Sequence, residues 1–298
     1  MSVVSPIKAA LGRVAFITGA GQGIGRAIAT RLARDGHDVS IADIPSQQEK
    51  VDGVIKEIES YGRKAISIHA DVRDPKAISN AIQETVDRLG PNLFVSVANA
   101  GVTQVKPLLE CTPEFVENEI RINLLGLINT HIAAAKQMVK QGKGGRILGA
   151  GSIASYRTAE NLGPYGATKY AVRGFTEVAA KEWAQYGIRV NAYGPGIVDT
   201  PMWDHIDREL AKIVSILHHL YLSHYSQYYI MLHRKTSQSE KRKPSESNAI
   251  SNSDGSKNPK MSLNWYPSSS RKRVSISLVR RSKHVVERLC KNLMEGLW

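Results

Sequence analysis

Between residues 13 and 34 a strand pattern, a glycine turn and a helix pattern follow one another without a gap, and few folds accommodate that order. Arg13-Val14-Ala15-Phe16-Ile17 reads as a buried strand, and residues 26–34 as a helix rich in Ala, Ile and Leu. The turn between them is Thr18-Gly19-Ala20-Gly21-Gln22-Gly23-Ile24-Gly25. A strand leading through such a turn into a helix N-terminus presents backbone N–H groups and the positive end of the helix dipole together. That is an anion site suited to a pyrophosphate. Gly19, Gly23 and Gly25 permit the tight turn and a close approach of ligand to backbone. A glycine-rich loop taken alone is unspecific, because many turns are glycine-rich.

The next strand, residues 37–42, ends at Asp43, 18 residues beyond Gly25. A dinucleotide-binding fold places its ribose-binding carboxylate there. A carboxylate accepts hydrogen bonds from both ribose hydroxyls and repels a 2′-phosphate. No Arg or Lys stands at Gln22 or within six residues after Asp43 to offset that repulsion, so the pattern predicts NAD rather than NADP. Residues 65–70 form a further strand ending in Asp71-Val72, an expected adenine contact, and residues 94–98 one ending in Asn99-Ala100-Gly101. The stretches 47–61, 75–89 and 113–141 have helical periodicity. Strands alternating with helices predict an α/β fold of the Rossmann type, a doubly wound parallel sheet in a single domain.

Tyr165 and Lys169 stand four residues apart, thirteen residues after Ser152. If Pro164 opens a helix, the two side chains stack on one face. A phenol ionises near pH ~10, and an ammonium one turn away is expected to pull that value toward neutrality. Ser152 follows the apolar run 146–150 and is placed to donate a hydrogen bond to a substrate oxygen. Such a triplet can move a proton while a hydride moves elsewhere.

These residues resemble the short-chain dehydrogenase/reductase family from about residue 13 to residue 213. The family's Thr-Gly-x-x-x-Gly-x-Gly loop stands at Thr18–Gly25, its Asn-Ala-Gly at Asn99–Gly101, its Tyr-x-x-x-Lys at Tyr165 and Lys169, and its Pro-Gly at Pro195-Gly196. Ala98 departs from the pattern, since many members have a second Asn there. The resemblance implies that Tyr165 is the general acid/base, that Lys169 lowers its pKa and holds the nicotinamide ribose, and that Ser152 polarises the substrate carbonyl. It further implies that Asn123 positions a relay water, and that Val198 and Thr200 hold the nicotinamide carboxamide. The stretches 160–165, 171–175 and 195–203 are similar to the diacetyl/acetoin reductase branch, which reduces small vicinal diketones and hydroxyketones with NADH. In that branch Met202 and Trp203 would begin the substrate lid. A polyol or sugar-alcohol dehydrogenase is the alternative within the family. Relatives are usually tetramers, with helices at 113–141 and 165–185 forming one interface.

Composition bounds the rest. Met1 to Ala10 lacks the apolar run of a secretory signal, and two cysteines, Cys111 and Cys290, suggest no disulfide framework, so a cytoplasmic protein is expected. Nine histidines show no metal-ligand spacing. The net charge of +13 suggests nucleic acid, but residues 214–298 carry 15 Lys+Arg against 5 Asp+Glu, whereas the first 213 carry 25 against 22. Neither a nucleic-acid partner nor a membrane span is expected.

The charge belongs to a tail that does not follow the family. Residues 213–232 have no clean periodicity, and 236–270 read as disordered, where the family would supply the rest of a lid helix, a further helix and a last strand. Val214-Ser215 can be encoded GTAAGT and His233-Arg234 with an internal CAG, the usual ends of an intron. An insert so bounded spans twenty codons and two bases, 62 bases, and shifts the downstream frame. In the shifted frame residues 252–256, 258–262, 263–268 and 275–280 permit Leu-Gly-Arg, Pro-Glu-Asp-Val, Glu-Leu-Val-Ser-Phe-Leu and Tyr-Ile-Thr-Gly-Gln, which resemble the family's missing C-terminal motifs in order. The expected organisation is a catalytic domain at 1–213 and an out-of-frame tail at 214–298. The missing strand would leave the sheet edge at 188–193 open, and this exact chain is expected to be weakly active or inactive.

Overall fold

The computed structural model describes residues 12–216 together with Leu278 and Val279. Six strands make up the body of one parallel sheet: β1 (Val14–Thr18), β2 (Asp38–Asp43), β3 (Ala65–His69), β4 (Leu93–Ala98), β5 (Gly145–Ala150) and β6 (Ile188–Pro195). A two-residue strand, β7 (Leu278–Val279), extends it, and the order across the sheet is β3-β2-β1-β4-β5-β6-β7. The connecting helices are α1 (Gly23–Arg34), α2 (Gln48–Ser60), α3 (Pro75–Leu89), α4 (Pro113–Ile120), α5 (Gly126–Gln141) and α6 (Gly163–Glu182), with α7 (Pro201–Ile216) after β6.

A parallel sheet must be covered on both faces, and β1 shows how the chain does it. All five of its residues are buried. Ala15 and Ile17 pack on the α1 and α2 side with Ile28, Leu32, Val51, Val54 and Ile58. Val14 and Phe16 point the other way, into a cluster with Ile78 and Ile82 of α3 and Met138 of α5. The period of two in strand side chains produces this division. Helix starts follow local chemistry: Asp74 accepts the Lys76 N–H ahead of Pro75, and Thr112 accepts the Phe115 N–H ahead of Pro113.

Two expectations change. The helix expected over 113–141 is interrupted by a π-helical turn at Arg121–Leu125, with Asn123 inside it. Hydrophobic periodicity does not register one widened turn, and such turns collect at functional sites. The sheet edge is also not wholly open. Gly194 and Pro195 pair with Leu278 and Val279, while among the described residues nothing pairs with 188–193 on that side. Apart from those two residues and the end of α7, the tail at 214–298 lies outside the described residues. Contacts divide the chain into residues 1–209 with 274–298, and residues 210–273; of the latter only the end of α7 is described. Among the described residues no helix is long and apolar enough to cross a membrane.

The core carries a pH liability. His37 is buried, its Nδ1 lies 3.2 Å from the Leu32 carbonyl, and its ring stacks on Phe94. Burial lowers its pKa from 6.5 to about 4. A folded value below the unfolded one gives stability that is present above pH ~6.5 and lost as pH falls toward 4. The unfolding free energy from denaturant titration should therefore fall between pH 7 and pH 5 by about 2 kcal/mol more in the parent than in a His37→Gln variant. Equal slopes in the two proteins would refute this assignment.

Candidate active site

The sheet order reverses at β1 and β4, and the crevice at the carboxyl ends of these strands is where the predicted site residues gather. Thr18 ends β1 and ties the two strands: its Oγ1 accepts the N–H groups of Asn99 and Ala100 at 3.1 and 3.2 Å. The Asn99 amide donates to the carbonyls of Thr18 and Gly19, at 3.2 and 2.7 Å. Its own oxygen accepts the phenol of Tyr193 at 2.7 Å. Nothing local in the sequence marks Tyr193, a fully buried residue of β6 that fixes the Asn99 amide from 94 positions away.

The glycines are required by space as well as by conformation. Gly19 and Gly23 have φ of +67° and +57°, which disfavour other residues. A Cβ on Gly25 would stand 2.3 Å from the Gly19 carbonyl oxygen, and one on Gly19 2.8 Å from the Ala100 Cα. Gln22 precedes α1 without a side-chain cap, so the first N–H groups of the helix are not satisfied by it. Ile24 packs inward against the core. Residues this small leave the backbone approachable, and the turn fits the pyrophosphate of a dinucleotide.

Asp43 lies beside this turn, accepting the Gly21 N–H at 3.3 Å and the Ile44 N–H at 2.9 Å. Burial raises its pKa, against the opposing pull of those N–H groups and of Lys50. Each oxygen keeps a lone pair for a ribose hydroxyl. Lys50, the seventh residue after Asp43, donates to Gln22 Oε1 at 2.9 Å and Gln47 Oε1 at 3.0 Å. The structure thus brings a cation to a place that sequence proximity leaves without one. Asp71 is committed elsewhere: both oxygens accept from the Arg73 guanidinium, which holds its pKa low. The expected adenine contact of Asp71 therefore has competition within its own loop. Val72 packs under Gly126, and its carbonyl accepts the Asn129 amide.

Ser152, Tyr165, Lys169, Gly101 and Asn123 come together. Ser152 is buried, and its Oγ accepts the Ala154 N–H at 3.1 Å, leaving its proton to donate. Lys169 is 4% exposed, donates to the Ala150 carbonyl at 2.8 Å and lies 5.3 Å from the centre of the Tyr165 ring. A Cβ on Gly101 would stand 3.9 Å from Lys169 Nζ and 3.1 Å from Asn123 Oδ1. Asn123 itself donates to the Val102 carbonyl and accepts the Val102 N–H, both at 2.8 Å. Its amide therefore fastens the loop after β4.

The electrostatics correct one expectation. Burial, the largest influence, raises the Tyr165 pKa; a hydrogen bond with Ser152 lowers it and the charge of Glu119 raises it. Burial also takes Lys169 down from 10.5 to about 8. Helical spacing makes the two side chains neighbours, but loss of water penalises both charges. The hydrogen bond with Ser152 favours the phenolate against that penalty. At neutral pH the site holds a phenol ready to give up a proton and a lysine that is still largely charged.

Beyond β6, Pro195-Gly196 leads to the buried Val198 and to Thr200, whose Oγ1 donates to the Val198 carbonyl and accepts the Trp203 N–H. A Cβ on Gly23 would meet the Thr200 methyl at 3.4 Å, so the start of α7 lies against the glycine turn. Met202 stands partly exposed on the first turn of α7.

Comparison with known proteins agrees with this geometry. The pattern of the short chain dehydrogenase family matches residues 13–211. The L-2,3-butanediol dehydrogenase of Corynebacterium glutamicum is 43% identical over 203 residues, covering 68% of this chain and 78% of its own. A diacetyl reductase [(S)-acetoin forming] of Staphylococcus epidermidis is 42% identical over the same length and shares. The crystal structure of a short chain dehydrogenase from Mycobacterium paratuberculosis bound to NAD has a TM-score of 0.64 at 32% identity, covering 68% of this chain and 80% of that one. A strand–glycine turn–helix, a Ser–Tyr–Lys cluster and a family pattern that runs through both lead to one conclusion: the chain belongs to the short chain dehydrogenase family, the oxidoreductases that interconvert an alcohol and a carbonyl.

Proposed function

We propose that the chain is an NAD(H)-dependent reductase of small ketones and hydroxyketones, of the diacetyl/acetoin type. The observation that carries this is the meeting of Ser152, Tyr165 and Lys169 beside Gly101, at the mouth of the crevice that the glycine turn opens. Gly19, Gly23 and Gly25 hold the pyrophosphate, Asp43 the adenosine ribose, and Val198 and Thr200 the carboxamide. The bound nicotinamide supplies the hydride in reduction and takes it in oxidation. Ser152 donates a hydrogen bond to the carbonyl oxygen, and Tyr165 delivers a proton to the same oxygen as it becomes an alcohol. Lys169, anchored on the Ala150 carbonyl, keeps a positive charge at the reaction centre and binds the nicotinamide ribose. Asn123 positions the loop that carries Gly101.

The similarity to a butanediol dehydrogenase and a diacetyl reductase supports four-carbon substrates. A tetramer is supported by exposed apolar side chains at Leu125 in the π-helical turn, at Ile132 and Val139 along α5 and at Tyr170 and Val178 on α6. The tail at 214–298 fits an out-of-frame reading that weakens the activity of this exact chain; sequencing spliced transcripts tests it, and abundant protein from the unspliced message alone would count against it. For the catalytic reading, NADH oxidation is followed with diacetyl, acetoin and a polyol panel, using the full chain and a version with a family-type C-terminus. Diacetyl or acetoin should be reduced fastest, with NADH preferred over NADPH by about tenfold or more because Asp43 repels a 2′-phosphate. Preference for a polyol, or for NADPH, would overturn the reading.

A further inference from the structure

One buried hydroxyl outside the Ser152–Tyr165–Lys169 cluster reaches into the cofactor site. Tyr193 is 1% exposed and pairs on β6 with Ala150 of β5, whose carbonyl anchors Lys169. Its phenol donates to Asn99 Oδ1, just past the end of β4, at 2.7 Å. Because β5 lies between β4 and β6, the ring crosses the carboxyl end of β5 to make that bond. Gly149, Ala150 and Gly151 are small enough to let it pass, and Ala150 packs in the same cluster as the ring.

Through Asn99 the bond reaches the glycine turn. With its oxygen turned to Tyr193, the Asn99 amide nitrogen faces the carbonyls of Thr18 and Gly19, to which it donates at 3.2 and 2.7 Å. The same nitrogen stands 2.5 Å from where a Cβ on Gly25 would lie, so the amide fills the space between the turn and the first turn of α1. A flipped amide would set its oxygen against two carbonyl oxygens, and loss of the phenol would leave a buried acceptor without its donor. We propose that Tyr193 is a positioning residue of the dinucleotide site: its phenol fixes the Asn99 amide and so holds the glycine turn and the start of α1 in the arrangement that receives the pyrophosphate. The inference rests on the assignment of that turn to the cofactor made above. Removing the hydroxyl should weaken nucleotide binding and leave the chemistry of Ser152, Tyr165 and Lys169 in place.

The test compares the full chain with Tyr193→Phe, which removes one oxygen and keeps the ring in the core. The expected result is an NADH dissociation constant raised about tenfold by calorimetry, the effect of one unpaired buried acceptor. KM for NADH rises with it, while kcat at saturating NADH and the pH profile of reduction stay as in the parent. Without nucleotide, amide hydrogen exchange over residues 19–26 should quicken in the variant. Val190→Ala, on the same strand but in the core of the other sheet face, is the control: it should lower stability and leave NADH affinity unchanged. Tyr193→Met takes the place of Tyr193→Phe should that variant fold poorly. Unchanged NADH affinity in a less stable Tyr193→Phe protein would make the phenol an ordinary core hydrogen bond and overturn the proposal. An equal loss of affinity in Val190→Ala would overturn it as well. Faster exchange over the turn in Tyr193→Phe, when the parent itself binds no NADH, would instead overturn the cofactor reading and leave the hold on the turn standing.

Discussion

Replacing Tyr165 by phenylalanine is expected to lower the turnover of ketone reduction by about a thousandfold while leaving NADH binding within about twofold. The substitution removes one oxygen and little volume. Lys169 keeps its hydrogen bond to the Ala150 carbonyl, and Ser152 keeps the Ala154 N–H, so the surrounding frame is not disturbed. What disappears is the phenol hydrogen-bonded with Ser152, whose proton the site can use. Because burial raises the Tyr165 pKa, the resting group is the protonated phenol, an acid suited to reduction. Alcohol oxidation requires the phenolate, so oxidation by the parent protein should rise with pH while reduction falls. Steady-state kinetics with diacetyl, and calorimetry with NADH, measure the two halves of the expectation. A loss smaller than tenfold would mean that the proton comes from another group.

How much of this was legible before the structure depends on the distance over which each feature is determined. The glycine turn, the strand ends at Thr18, Asp43 and Asn99, and the Tyr165–Lys169 pair are set by residues close together in the chain, and pattern alone finds them. Tyr193 escapes because its partner is 94 positions away, and Lys50 because its reach to Gln22 depends on how α2 packs beside the turn. Glu119 reads as one more charge on an amphipathic helix, and only packing shows that it is buried and bonded to the Gln104 N–H. The π-helical turn at Arg121–Leu125 adds a fraction of a residue to one turn, too little to break a periodic pattern. The direction of the Tyr165 shift escapes the sequence for a related reason. Spacing gives the proximity of two side chains but not the loss of water around them, which raises the Tyr165 pKa.

Gly25→Ala should be the most damaging single methyl group in the described part of the chain, and Gly53→Ala one of the most harmless. Both glycines lie in helices, Gly25 in α1 and Gly53 in α2, and neither has a positive φ, so intrinsic helix preference favours alanine at each by about 1 kcal/mol. Space separates them. Around Gly53 nothing lies within 4 Å of the new Cβ. At Gly25 the Cβ would stand 2.3 Å from the Gly19 carbonyl oxygen, 2.5 Å from the Asn99 amide nitrogen and 2.9 Å from the Ala20 Cα. Two of these three atoms are backbone. The third belongs to a side chain held by Thr18, Gly19 and the Tyr193 phenol, which cannot swing away without leaving buried polar groups unpaired. Relief must therefore come from moving α1 away from β1, which opens the glycine turn itself. Denaturant unfolding should show a loss of about 2–4 kcal/mol for Gly25→Ala against a small gain for Gly53→Ala. NADH affinity should fall at least about tenfold for the first and remain unchanged for the second, since only the first displaces the N–H groups that face the pyrophosphate. Equal stability in the two variants would show that the turn tolerates a side chain, and the close approach of helix to strand would lose its claim to shape the cofactor site.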